Sequence, residues 1–87
     1  MSKAALMHVT VRFFAAHREA TGTSSYAAEV PDGVCASDVW TMLQERFPKL
    51  ERAASSVAFA VNLQQVPAGT ALHEGDELAL LPPMAGG

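Results

Sequence analysis

From Leu6 to Phe14 the chain alternates between apolar and polar side chains, with Met7, Val9, Val11 and Phe13 set against His8, Thr10 and Arg12. Successive side chains of a strand point to opposite faces. The run therefore predicts a strand with one face that must be covered and one that stays wet. The cover is legible downstream. Between Ala36 and Phe47 the apolar residues Val39, Met42, Leu43 and Phe47, continued by Leu50, recur three and four apart, the spacing of a helix with one buried stripe. Pro48 disfavours helical backbone at the residue before it, so Phe47 is expected to close that helix. A strand with one dry face and a helix with one dry stripe leave few solutions, and the simplest lays the helix across the inner face of a sheet.

The other elements fit that plan. Ala15 to Ala20 is expected to be a short turn of helix, stopped by Gly22 at a C′ position. Ser24 to Val30 reads as a second strand with Tyr26 and Val30 on one face, ending at the turn Pro31-Asp32-Gly33. Cys35 stands three residues before Asp38, the spacing of a helix N-cap and its reciprocal acid, with Ser37 as the competing cap. Val57 to Asn62 is a third strand, with Val57, Phe59 and Val61 one way and Ala58, Ala60 and Asn62 the other. Leu63 to Gly69 is turn-like, with a short strand around Gln65 and Val66, and His73 to Asp76 is a turn. Glu77 to Leu81 is the last strand, with Leu78 and Leu80 inward and Glu77, Ala79 and Leu81 outward.

This order predicts an α+β fold: a mixed sheet of about five strands with one main helix packed on one face. The first and last strands are expected side by side as a parallel pair, with the helix in the crossover. Residues 1–81 form the domain and residues 82–87 a flexible tail that leaves beside Phe14.

Charge and composition remove several functions. Six basic against nine acidic side chains give a net charge of −3, and the acids are dispersed. Nucleic-acid binders and membrane-surface helices concentrate Lys and Arg on one face, so neither nucleic acid nor membrane is an expected partner. No apolar run approaches the ~18 residues of a spanning helix. Met1-Ser2-Lys3-Ala4-Ala5 lacks the charged-then-apolar layout of a secretory leader, so the expected location is cytoplasmic. Cys35 is the sole cysteine, which excludes an internal disulfide and a paired-cysteine metal site. His8, His17 and His73 are scattered over a strand, a short helix and a turn. All three are expected at the surface, and no metal site is expected.

The last residues, Leu80-Leu81-Pro82-Pro83-Met84-Ala85-Gly86-Gly87, point to chemistry. Glycines without side chains can thread a narrow channel and present a terminal carboxylate to another protein's active site. Pro82 and Pro83, with φ held near about −65°, stiffen the root of the tail and lower the entropy lost on capture. Phe14 and Leu81 fall at the C-terminal ends of their strands on the face away from the helix, an expected docking patch for whatever grips the tail. The chain reads as a carrier in which Gly86 and Gly87 hold the reacting end. Phe14, Leu81, Pro82, Pro83, Met84 and Ala85 then meet the partner.

Val11-Arg12-Phe13-Phe14-Ala15, Arg18-Glu19, Gly22, Ala60-Val61-Asn62, Glu74-Gly75-Asp76-Glu77, Leu81-Pro82-Pro83 and Gly86-Gly87 follow one another in an order and spacing that resemble the small subunit of molybdopterin synthase over nearly the whole chain. The resemblance implies a ubiquitin-like β-grasp fold and a sulfur-carrier role. It implies that the Gly87 carboxylate is adenylated by an ATP-using activating enzyme, converted to a thiocarboxylate, and inserted into the large synthase subunit, where the sulfur passes to a pyranopterin precursor. It further implies no catalytic groups and no bound cofactor on this chain, since the activating adenylyltransferase/sulfurtransferase uses the ATP. It also implies a heterotetramer of two small and two large subunits. Two residues depart from the pattern: Cys35 stands where relatives place a Thr or Ser cap, and Gln65 is polar where the docking patch expects an apolar group. Two rival readings share the fold. One is a sulfur carrier for thiamine thiazole or tRNA thiolation; the other is a β-grasp binding module that never uses its C-terminus chemically.

Overall fold

The computed structural model describes residues 5–50 and 57–81. In chain order the elements are β1 (Leu6–Phe13), α1 (Ala15–Thr21), β2 (Ser25–Pro31), α2 (Ala36–Arg46), β3 (Ala58–Val61), β4 (Gln64–Val66) and β5 (Glu77–Leu81). The strands form one mixed sheet in the order β2-β1-β5-β3-β4. β1 pairs antiparallel with β2 and parallel with β5, while β3 pairs antiparallel with both β5 and β4. Parallel neighbours need a long crossover, and α2 lies within it.

The alternation in β1 is complete: Met7, Val9, Val11 and Phe13 are buried and the residues between them exposed. Ala28 and Val30 of β2, Phe59 of β3, and Leu78 and Leu80 of β5 share the same inner layer, which Ala36, Val39 and Leu43 of α2 close. Each fully buried Leu or Phe contributes ~1.5–3 kcal/mol, so this layer is the main stabilising element. Phe47 stands just outside α2 as its C-cap, not as its last helical residue, and it meets Phe13 edge-on at 6.0 Å and Tyr26 edge-on at 5.3 Å.

Cys35, and not Ser37, is the N-cap of α2. Its N–H donates to Asp38 Oδ2 at 3.1 Å and its thiol donates to the same oxygen at 3.3 Å. These bonds, the backbone one first, hold the Asp38 carboxyl below its ordinary pKa. Two further donors of the first turn are met by the loop after β4: Ala36 N–H bonds the Thr70 carbonyl at 3.0 Å and Ser37 N–H the Ala68 carbonyl at 2.9 Å. The loop thereby ties the entry of the helix to the far edge of the sheet.

Two local expectations need correcting. The turn between β3 and β4 is a tight two-residue one at Asn62 and Leu63, both with positive φ of 52° and 74°. Leucine usually avoids this region and neither residue is glycine, which hid the turn inside an apparent strand end and a longer loop. His17 was expected at the surface; it is fully buried, because α1 turns that side chain toward the sheet.

Candidate functional site

The site is set by the register of the two central strands. Phe13 pairs with Leu80 in the parallel β1–β5 ladder, so both strands end at the same border of the sheet. Phe14 keeps extended backbone for one more residue, at φ −129° and ψ 152°, before α1 begins. Its ring stands on the face away from α2 and is 40% exposed, which makes it available to a partner without being part of the core. Leu81 follows Leu80 on the same outer face, half-buried, opposite Ala58 of β3. Ala79 and Ala60 are paired across β5 and β3 on that face, so the floor beside Phe14 and Leu81 is apolar and shallow. Arg12 and Glu77 border it, joined by a 2.8 Å hydrogen-bonded ion pair.

Phe14 and Leu81 are therefore brought to one border of one face. Pro82, Pro83, Met84, Ala85, Gly86 and Gly87 lie outside the described residues. Gln65 is exposed on β4, opposite Ala60 and on the same face as the patch.

His17 is the residue near this site that sequence reasoning missed. Its ring lies 5.3 Å from that of Trp40, and neither ring nitrogen has a well-formed hydrogen bond among the described residues. Burial lowers its pKa below the ordinary histidine value, opposed in part by the Leu80 backbone. The available signal was spacing: His17 and Ala20, three apart, are the inward residues of α1.

The remaining histidines are exposed. His8 sits on the outer sheet face between two carboxylates, with Glu29 Oε2 3.3 Å from Nε2 and Glu74 Oε2 3.3 Å from Nδ1. His73 belongs to the turn before β5, where its N–H donates to Asp76 Oδ2 at 2.8 Å. Among the described residues no group of three or more His, Cys, Asp or Glu side chains is arranged to hold a metal ion. No described helix is long and apolar enough to cross a membrane.

A model of the ThiS family matches residues 11–87. The molybdopterin synthase sulfur carrier subunit of Pyrenophora tritici-repentis is 38% identical over 91 residues, which cover 98% of this chain and 96% of that protein. Among solved structures, the small archaeal modifier protein 1 of Haloferax volcanii superposes with a TM-score of 0.81 at 26% identity, covering 90% of this chain and 99% of the other. A subunit from the complex of subunits 1 and 2 of the molybdopterin-converting factor of Helicobacter pylori superposes with a TM-score of 0.62 at 28% identity, covering 93% and 100%. With the sheet order above, these likenesses identify the fold as a ubiquitin-like β-grasp.

Proposed function

The chain belongs to the ThiS family, and from that membership we propose that it is the sulfur-carrier subunit of a molybdopterin synthase, with the Gly87 carboxylate as its working group. The observation that carries this reading is the near end-to-end likeness to sulfur carrier subunits, 38% identical over 98% of the chain. The geometry supports it, because the central parallel strands end together at Phe14 and Leu81, beside the root of the tail.

A carboxylate is a poor acyl donor, since its oxygen is a bad leaving group. Attack of a Gly87 carboxylate oxygen on the α-phosphorus of ATP, with loss of pyrophosphate, makes a mixed anhydride whose leaving group is AMP. Sulfide supplied at the activating enzyme attacks the acyl carbon, displaces AMP and leaves a thiocarboxylate. In the large subunit the thiocarboxylate sulfur is the nucleophile toward the pyranopterin precursor, and hydrolysis of the acyl–sulfur bond returns the Gly87 carboxylate. Two sulfurs per dithiolene require two charged small subunits, in keeping with a heterotetramer. This chain supplies the reacting atom and the fit, while the partners supply the acid, base and electrophilic groups. Gly86 and Gly87 keep the tail slim enough for two different active sites.

Phe14 and Leu81 serve as the docking patch for the large subunit and the activating enzyme, with Pro82, Pro83, Met84 and Ala85 leading the tail into the channel. The solved complex of the Helicobacter pylori subunits supports a large-subunit partner for a chain of this shape. The same reading expects the work to be done in the cytoplasm, where the activating step has ATP.

The test is genetic and simple. Adding one residue after Gly87, or deleting Gly87, is expected to abolish molybdopterin formation in a strain that depends on this chain while leaving the domain folded. Unchanged cofactor yield would overturn the proposal. Rescue of thiazole or tRNA thiolation instead would transfer the chain to another carrier pathway.

A further inference from the structure

The sheet has a second unfinished surface, at its β2 edge and on the face that α2 covers. β2 is an edge strand. Its ladder with β1 is pinned at both ends by Phe13 N–H to the Ser24 carbonyl at 2.9 Å and by Asp32 N–H to the Ala5 carbonyl at 2.8 Å. Antiparallel pairs alternate, so the even-numbered residues of β2 bond β1 and Ser25, Ala27, Glu29 and Pro31 turn their backbone groups outward. Two of these are already protected. Thr23 Oγ1 donates to the Ser25 carbonyl at 2.8 Å and accepts from the Ser25 N–H at 3.3 Å, and Pro31 has no N–H to offer. What remains open among the described residues is the N–H and C=O of Ala27 and of Glu29, since the Pro31 carbonyl accepts from Val34 N–H at 3.4 Å.

Beside this open edge, on the α2 side, runs a groove of about 140 Å³ walled by Tyr26, Val30, Val39, Met42 and Leu43. It holds a side chain or two, and falls short of the few hundred Å³ typical of small-molecule sites. Glu29 borders the groove, but its carboxylate is 3.3 Å from His8 on the opposite face, so it gives the groove only main chain. The charged side chain left at the groove is Arg46, which has no acidic partner among the described residues. The contact of Tyr26 with Phe47 places this arginine at the Tyr26 end.

We infer that the β2 edge and the β2–α2 groove together bind an extended partner peptide, which adds a strand by pairing with Ala27 and Glu29, seats aliphatic side chains in the groove, and sets a carboxylate against Arg46. Three features of this surface select the occupant. The open backbone groups call for a strand, the apolar walls call for aliphatic side chains on one of its faces, and Arg46, without an acidic partner among the described residues, calls for an acidic residue at one end. The groove opens on the α2 side of the sheet, whereas Phe14 and Leu81 stand on the opposite face.

The probe is an acetylated and amidated peptide of alternating Val and Thr closed by two Asp residues, titrated into the isotope-labelled chain and followed by amide shifts. The expected shifts centre on Ala27 and Glu29. Arg46→Glu is expected to weaken this peptide about tenfold and to favour the same peptide closed by two Lys. Ala27→Pro removes one outward donor in a register where Pro31 already shows that proline is accepted, and a loss of about tenfold is expected. N-methylation of the peptide at its ladder positions repeats that test without touching the protein. Shifts centred on Phe14 and Leu81, or equal affinity for the N-methylated peptide, overturn the inference. A concentration-dependent dimer in sedimentation that Arg46→Glu or Ala27→Pro abolishes, without peptide binding, assigns the edge to a second copy of the chain and also overturns it.

Discussion

Asn62 is bonded to Glu77 in both directions: Asn62 N–H donates to the Glu77 carbonyl at 2.9 Å, and Glu77 N–H donates to Asn62 Oδ1 at 3.0 Å. Asn62 Nδ2 also donates to Asp76 Oδ1 at 3.0 Å. One side chain thus ties the β3–β4 turn to the turn that starts β5. Ala60-Val61-Asn62 and Glu74-Gly75-Asp76-Glu77 stand far apart in sequence, yet they form one hydrogen-bonded joint that sets where β5, and hence Leu81, begins its run.

Asn62 also holds φ at 52°, a region that asparagine enters more readily than alanine. Asn62→Ala should therefore lose both the side-chain bonds and the backbone tolerance, costing ~1–2 kcal/mol, while Asn62→Gly should cost less because it regains the tolerance. Urea unfolding measures both variants. Equal losses would show that backbone strain contributes nothing at this turn.

His17 makes stability depend on pH. Its pKa in the folded chain is lowered from 6.5, mainly by burial, so the unfolded chain binds the proton more readily. Stability is then full above pH 6.5 and falls as the pH drops from there through the folded-state pKa. His17→Leu removes the buried nitrogens and should gain on the parent chain progressively as pH is lowered to about 5. Parallel pH profiles for the two proteins would remove His17 as the source.

Much of this architecture is legible in the sequence because it rests on repeated patterns. Four inward residues of β1 announce the sheet, and the stripe of Val39, Leu43 and Phe47 announces its cover. The parallel pairing of β1 with β5 follows from their inward faces and the intervening helix. His17 is not legible in the same way. α1 has seven residues, and its two inward positions form no stripe. The Asn62–Leu63 turn is hidden because neither residue is glycine. The position of Phe14 and Leu81 at one border is readable once the strands are paired, whereas the proposal that Gly86 and Gly87 hold the reacting end rests on sequence.

Phe14→Asp should weaken binding to the large subunit by ~2 kcal/mol, or about thirtyfold, because an exposed aromatic at the patch is a natural anchor. The melting temperature should move only a few degrees, since the ring is already 40% exposed. Leu81→Asp should weaken binding similarly and cost more stability, being half-buried against β3. Calorimetry decides: normal binding by both variants places the interface elsewhere.

Cys35→Ser should raise stability by ~0.5–1 kcal/mol, because a hydroxyl is the better cap for the donors of the first turn of α2. Sulfur transfer should be unaffected, as the thiol is engaged with Asp38 at 3.3 Å and belongs to the cap. A serine variant that folds but transfers no sulfur would give Cys35 a chemical role.

The most direct measurement is the intact mass of the chain after incubation with an activating enzyme, ATP and a sulfur source. The account predicts a gain equal to replacement of one oxygen by sulfur, located by fragmentation at Gly87 and lost again on incubation with the large subunit and the pyranopterin precursor. An unchanged mass under conditions that charge a known sulfur carrier, or sulfur found on Cys35 in place of Gly87, would contradict it.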